Sequence, residues 1–452
     1  MVYAFKIAII MNMKLSFLED KKILILGMGK EGKDTLSFLR KNFPEKVLGV
    51  ADQKDVKCQM SNVKIYFGKD YLKAIDDYDI IIKSPGISIH LPEIEKANKE
   101  KKLTSQTDIF FENCKGTIVG VTGTKGKSTT TTLIYQVLKE GGIRAHLIGN
   151  IGKPVLSYLF NSSKKDVFCY ELSCHQLWNL KHSPHIAVFL NLFPEHLDYY
   201  KNFREYASSK ANICRWQKAD DFLIYNANDK NVKKIAQKSK AQKIPLKDYS
   251  NILKNVGIKK IPLLGEHNLL NIAAAIEVGK IFKIPNLKIK RGIENFKPLP
   301  HRLELVGTFK GITFYNDALS TIPETAIAAL DALGDKVETI LLGGYDRNIN
   351  FDNLAKKILN SKIKNIILFP TTGEKIWRAV QKEFQKKNYQ SRDRIKSFFV
   401  DNMKDAVRIA FENTNQGKIC LLSCASTSFS LFRDYKEKGN QFKKWVKYYG
   451  KT

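Results

Sequence analysis

The sequence predicts an α/β protein of several domains, because three short β-branched or leucine-rich runs each feed a glycine-rich turn. These are Ile23–Leu26 before Gly27-Met-Gly29-Lys-Glu-Gly32, Ile118-Val-Gly-Val121 before Gly123-Thr-Lys-Gly-Lys-Ser128, and Thr339–Leu342 before Gly343-Gly344. Buried parallel strands read as such runs, and a helical period resumes after each turn. At 452 residues the chain exceeds one ordinary core, and the length prior suggests about three domains. We expect an N-terminal Rossmann-like domain over 1–110, a central P-loop ATPase-type parallel sheet over 111–299, and a C-terminal Rossmann-like domain over 300–452.

In the first domain, the strand, the GxGxxG turn and a helix through Leu36 and Leu39 lead to Val47–Ala51, a strand that ends on Asp52. An acid at the end of the second strand is part of the dinucleotide-fold pattern, which places phosphate near a helix start without naming the ligand. Asp79–Lys83 gives a further strand, opening into Ser84-Pro-Gly-Ile87. Ligands of open α/β sheets bind at such strand ends, although a purely structural turn is the competing account.

The central stretch is the most informative. After the strand at Ile118, the loop Gly123, Thr124, Lys125, Gly126, Lys127, Ser128, Thr129 precedes a helix marked by Leu133, Ile134, Val137 and Leu138. Loop and helix-start N–H groups suit a triphosphate, Lys127 supplies charge to its β/γ oxygens, and Ser128 or Thr129 can coordinate Mg²⁺. The strict eight-residue pattern fails, since Gly120 lies one residue too far upstream. Two later strands deliver Glu171 and the loop Asn191–Asp198, with His196, beside that turn. A carboxylate and an imidazole suit Mg²⁺ carried on nucleotide oxygens; a loop histidine bonded to Asp198 is the bland alternative. Lys210 falls on a helix spanning 203–213, where a lysine is ordinarily solvated. Asn268 and Asn271 stand one turn apart at the start of an apolar helix (Ile272–Val278), where capping is the ordinary role and adenine recognition the other.

Composition narrows the class. A hydrophobic content of 43% with 11% aromatics fits a globular enzyme. The seven cysteines, at 58, 114, 169, 174, 214, 420 and 424, never form CxxC, so we expect reduced thiols in a cytoplasmic protein. The net charge of +30 raises a nucleic-acid hypothesis, but the lysine pairs are scattered and no nucleic-acid motif is present. Tyr3–Met11 is apolar yet too short to span a bilayer and has no small-residue cleavage site, so we expect neither membrane insertion nor a signal peptide.

The order of motifs then becomes specific. Gly120–Thr129, Gly149-Asn-Ile-Gly152, Glu171-Leu-Ser, Asn191–Asp198, Lys210, Gly265–Asn271, Pro300-His-Arg-Leu-Glu304 and Asn316-Asp317 resemble, in sequence order, the Mur ligases. These are ATP-dependent amide ligases of peptidoglycan synthesis, related to folylpolyglutamate synthetase. The resemblance covers the chain from about residue 20 and, with Ser84-Pro-Gly-Ile87, is closest to the glutamate-adding branch. It implies ATP and two Mg²⁺ ions as cofactors, with UDP-N-acetylmuramoyl-L-alanine and glutamate as partners, in a monomer that binds no nucleic acid. Lys127, Ser128, Thr129 and Glu171 would hold the phosphates and the first Mg²⁺, and His196 with a carbamylated Lys210 the second. Asn268 and Asn271 would face adenine, Arg302 the γ-phosphate and Asp317 the ribose. Gly29, Ser84, Pro85 and Gly86 would hold uridine diphosphate, Asp52 would lie near uracil, and Asn150 and His196 near the muramoyl group. Thr321, Arg347 and Ser426 would meet the incoming amino acid.

In the third domain, Phe309–Asp317 reads as a strand pair ending in an acid, and Thr339, Asn365 and Lys418 each begin a further strand. Arg347 suits a planar carboxylate through its forked donors. Here the chain departs from the branch it resembles: the family's Asn-Asp-Ser-Lys-Ala-Thr stands as Asn316-Asp-Ala-Leu-Ser-Thr321, a lysine is replaced by Arg347, and the loop 423–432 looks longer. D-glutamate is the first expectation, with L-glutamate or another amino acid as the alternative. Rival classes are a folylpolyglutamate-type ligase, which lacks the N-terminal domain, a nucleic-acid-dependent ATPase, and a dehydrogenase resting on Gly27–Gly32 alone.

Overall fold

The computed structural model describes residues 13–56, 60–386 and 395–451, so the N-terminal stretch and Cys58 lie outside it. Three sheets organise the chain. The first contains β1 (Ile23–Leu26), β2 (Leu48–Asp52), β3 (Val63–Phe67), β4 (Ile80–Lys83) and β5 (Leu103–Thr104) in the order β3-β2-β1-β4-β5. Every residue of β1 is fully buried, as its unbroken apolar run demands, since helices cover both faces of a parallel sheet. Because β1 lies between β2 and β4, strand order reverses there, and the turns after β1 and β4 open side by side.

The second sheet holds β6 (Thr117–Thr122), β7 (Arg144–Gly149), β8 (Asp166–Glu171), β9 (Ile186–Phe189), β10 (Phe222–Asn226) and β11 (Gln242–Leu246), ordered β11-β10-β9-β6-β8-β7 and parallel throughout. The glycine-rich turn after β6 is thus flanked by the ends of β8 and β9. The third sheet comprises β12 (Glu304–Phe309), β13 (Ile312–Asn316), β14 (Val337–Gly343), β15 (Asn365–Phe369), β16 (Lys396–Phe399) and β17 (Ile419–Leu422), ordered β12-β13-β17-β14-β15-β16. Only the β12–β13 pair is antiparallel, closed by Lys310 and Gly311, both at positive φ as a two-residue hairpin requires.

The chain divides into two compact units. One comprises the described residues up to Lys260 with Leu269–Phe296, and so contains the first two sheets; the other comprises Ile261–Asn268 with the chain from Lys297 onward. Helix lengths exceed the sequence expectation at two places. The helix carrying Lys210 runs Phe203–Arg215, and the apolar helix marked at Ile272–Val278 runs His267–Ile281. Periodicity locates a helix by its buried stripe, whereas its ends depend on caps such as Asn202, whose side chain accepts from Glu205 N.

Candidate active site

The turn after β6 begins at Gly123. Gly120 is a strand residue of β6, and a Cβ there would lie 2.6 Å from Pro184 Cγ, so close packing explains that glycine. Gly126 caps the following helix, Lys127–Glu140, at φ +86°, and a Cβ there would meet Asn271 Oδ1 at 2.6 Å. The loop is braced from outside. Asn191, just beyond β9, accepts from Lys125 N at 2.8 Å and donates to Lys125 O at 3.1 Å. Thr130 Oγ1 donates to Asn271 Oδ1 at 2.9 Å, placing buried Asn271 against the loop's helix.

Lys127 Nζ donates to Gly123 O and Thr124 O, each at 3.0 Å, and burial holds this ammonium below the ordinary lysine range. Lys125 is paired instead with Glu195. Lys210 departs from the solvated-helix expectation: it is 1% exposed and its Nζ donates to Gly123 O at 2.8 Å. Two lysines therefore converge on one carbonyl. Burial first, and the neighbouring Lys127 second, push Lys210 down to about 7. A neutral amine is a nucleophile near neutral pH, which an ordinary lysine is not.

Glu171 ends β8 and is 1% exposed. Its Oε1 accepts from Asn150 Nδ2 at 2.9 Å, while buried Oε2 has no hydrogen-bond partner among the described residues. A buried carboxylate oxygen left unpaired is costly, and a hard cation supplies the missing contact. His196 takes a left-handed backbone at φ +57°, and its ring stands 5.0 Å from that of His175. Burial keeps the His196 imidazole below the usual histidine range, in the neutral form a metal requires. No group of three or more His, Cys, Asp or Glu among the described residues is set to hold a metal ion. Glu171 and the Ser128 hydroxyl therefore fit Mg²⁺ whose remaining ligands are phosphate oxygens and water.

At the first sheet, Gly32 fits because a Cβ there would stand 2.0 Å from Gly27 O, the close approach expected of the third glycine in GxGxxG. Asp52 Oδ2 accepts from Met28 N at 2.6 Å, so the acid fixes the glycine loop. Ser84 Oγ donates to Gly27 O at 2.7 Å, tying the two turns together. Gly29 and Gly86 are exposed, Ser84 and Pro85 half-buried.

In the second unit, Asp317 follows β13 and is 6% exposed. It accepts from Ser423 Oγ at 2.9 Å and Leu303 N at 3.1 Å, yet burial pushes its carboxyl up to about 6. Arg302 lies in the segment before β12, and Asn268 Nδ2 donates to Leu264 O at 2.6 Å. Ser426 is fully buried and shares a 2.8 Å hydroxyl bond with Thr372, whereas Arg347 is exposed and Thr321 half-buried. Sequence reasoning missed the neighbouring Thr427 and Ser428, whose buried hydroxyls have no partner among the described residues. The Ser/Thr richness of 426–430 was the available signal. It also missed Lys83, His175 and Tyr199, which carry no motif.

The described cysteines are all free thiols, and no described helix is long and apolar enough to cross a membrane. Family comparison matches residues 21–103 to a MurD-like Mur ligase N-terminal domain, 121–279 to the Mur ligase middle domain, and 301–426 to the Mur ligase glutamate ligase domain. The chain is 33% identical to the UDP-N-acetylmuramoylalanine–D-glutamate ligase of Acetivibrio thermocellus, over 96% of this chain and 99% of that protein. It is 33% identical to the ligase of the same name from Ruminiclostridium cellulolyticum, over 85% and 86%. In fold it is similar to the crystal structure of UDP-N-acetylmuramate–alanine ligase MurC from Thermotoga maritima, with a TM-score of 0.58 at 16% identity, covering 95% of this chain and 99% of that one. With a phosphate loop, an adjacent buried carboxylate and matches at all three sheets, the chain belongs to the Mur ligase family, among the relatives of its D-glutamate ligases.

Proposed function

We propose that this protein joins D-glutamate to UDP-N-acetylmuramoyl-L-alanine in the cytoplasm, converting ATP to ADP and phosphate. The observation that carries this proposal is the convergence of Lys127 and Lys210 on Gly123 O, beside the unpaired oxygen of Glu171. The alanyl carboxylate attacks the γ-phosphorus of ATP, and the bond to the β–γ bridging oxygen breaks to release ADP. The amine of glutamate then attacks the acyl phosphate carbon, phosphate leaves, and the amine gives up a proton to complete the amide.

Lys127 offsets charge on the transferring phosphoryl group, with Arg302 assigned to the γ-phosphate and Asp317 to the ribose. Magnesium, when bound, neutralises and orients the phosphate oxygens. Glu171 and Ser128 would hold one ion, and His196 with a carbamylated Lys210 the second. The depressed basicity of Lys210 supports carbamylation, because only the neutral amine adds CO₂. Addition also replaces repulsion between two buried cations with attraction between a carbamate and Lys127. Gly29, Asp52, Ser84 and Gly86 are assigned to the uridine diphosphate end. Asn150 is assigned to the muramoyl group, and Thr321, Arg347 and Ser426 to the amino acid.

Phosphate release tests the assignment, using ATP, Mg²⁺ and UDP-N-acetylmuramoyl-L-alanine with D- or L-glutamate in separate reactions. We expect release with D-glutamate, as the names of the 33% identical relatives support. Release with L-glutamate alone would mean that Leu319 and Arg347 mark a changed stereochemical preference. Release with neither would overturn the glutamate assignment.

A further inference from the structure

We propose that Lys83 and Tyr199 are positioning residues for the Ser84–Ile87 turn, holding the Gly86 and Ser88 amides outward for the phosphates of the uridine-linked substrate; this rests on the substrate assignment above. Both side chains approach the turn through its carbonyls. Lys83, the last residue of β4, is 6% exposed and donates through Nζ to Ser84 O at 3.1 Å and Ile87 O at 2.9 Å. Tyr199 sits three residues beyond His196. Its hydroxyl reaches Ile87 O at 2.8 Å and Pro85 O at 3.3 Å.

Peptide planarity turns those contacts into a prediction about the amides. In a trans peptide the N–H of each residue points opposite to the preceding C=O. With Pro85 O drawn toward Tyr199, the Gly86 N–H is directed the other way; with Ile87 O drawn toward both donors, so is the Ser88 N–H. A Cβ added at Gly86 meets nothing within 4 Å, so that outer surface is open to a ligand. The Ile87 N–H between them is tied back to Ser84 O at 3.3 Å, so the Gly86 and Ser88 N–H groups are the two donors left to receive an anion. The turn is also fixed laterally, through Ser84 Oγ and Gly27 O, to the glycine loop on the neighbouring strand β1.

Lys83 adds charge beneath these two donors. Among the described residues it forms no ion pair, and its ammonium lies 5.7 Å from the Trp178 ring centroid. Tyr199 adds a mechanical link. Its ring meets His175 edge-on at 4.2 Å, and His175 in turn lies 5.0 Å from His196. The turn assigned to the uridine diphosphate and the loop bearing His196 are thus joined through one hydroxyl and two aromatic contacts.

Tyr199→Phe deletes the hydroxyl and keeps the ring stack; Lys83→Met deletes the ammonium and keeps the apolar stem. Each is compared with wild type by calorimetric binding of UDP and of ATP, and by steady-state kinetics with each substrate varied in turn. The loss of such hydrogen bonds predicts about tenfold weaker UDP binding and an equal rise in KM for the UDP-linked substrate, with ATP affinity and KM changed less than about twofold. Unchanged UDP binding in both variants overturns the proposal. So does equal weakening of UDP and ATP, which marks a general structural role. If wild type binds UDP but releases no phosphate with the full substrate set, the ligase assignment fails, while the positioning role still stands or falls on UDP binding. A wild type that binds no UDP overturns both.

Discussion

Lys210 illustrates how much a single side chain gains from its surroundings. On the helix surface it would be an ordinary cation; enclosed at 1% exposure beside Lys127, it is held near neutrality at about 7. Such a site disfavours two cations, and a carbamate on one of them resolves the repulsion. Lys210→Ala is expected to lower phosphate release by about a hundredfold, the upper range for losing a group that orients a metal. Short carboxylic acids added to the variant should restore part of the rate by replacing the carbamate. A variant as active as wild type would remove Lys210 from the mechanism. His175 shows the opposite outcome: burial, then His196 and the lysines nearby, push it down to about 3, so it stays neutral wherever the enzyme works and serves as an aromatic spacer.

Among the elements, the glycine turn after β6 is the most constrained. Gly126 combines a positive φ with an approach that puts a hypothetical Cβ 2.6 Å from Asn271 Oδ1, the acceptor of the Thr130 hydroxyl. Substitution would strain the backbone and displace the asparagine brace together. Gly126→Ala is therefore expected to weaken ATP binding by at least about tenfold, while UDP binding at the first sheet stays within about twofold. Calorimetry with each nucleotide separates the two. Loss of UDP binding as well would point to general unfolding, and unchanged ATP binding would release Gly126 from the phosphate loop. The pattern Gly-x-x-Gly-Lys-Ser was legible in the sequence because backbone geometry allows few residues at those positions. The role of Gly120 was not, because only the packed structure brings Pro184 against it.

For the whole molecule, the charge of +30 invites an unspecific attraction to polyanions. Each described unit is built around α/β sheets that are parallel except at β12–β13, and Glu171 and Asp317 among the candidate site residues sit at strand ends, as in small-ligand enzymes of this class. We expect added polynucleotide to leave ATP turnover within about twofold of its value at moderate salt, since surface charges are screened there. Stimulation of ATP hydrolysis by DNA or RNA would favour the nucleic-acid-dependent ATPase.

The sequence by itself determined the α/β class, the buried central strands and the three glycine turns, because burial on both faces and positive φ each restrict residue choice locally. It also marked Glu171, His196 and Lys210 through their order along the chain. Strand order, the unpaired oxygen of Glu171, the burial of Lys210 and the contacts of Lys83 and Tyr199 with Ser84–Ile87 were decided only in the tertiary structure. Those features depend on residues as much as 114 positions apart, as for Tyr199 and Pro85, meeting in space. Desolvation and hydrogen bonding act across such distances along the chain only after it has folded.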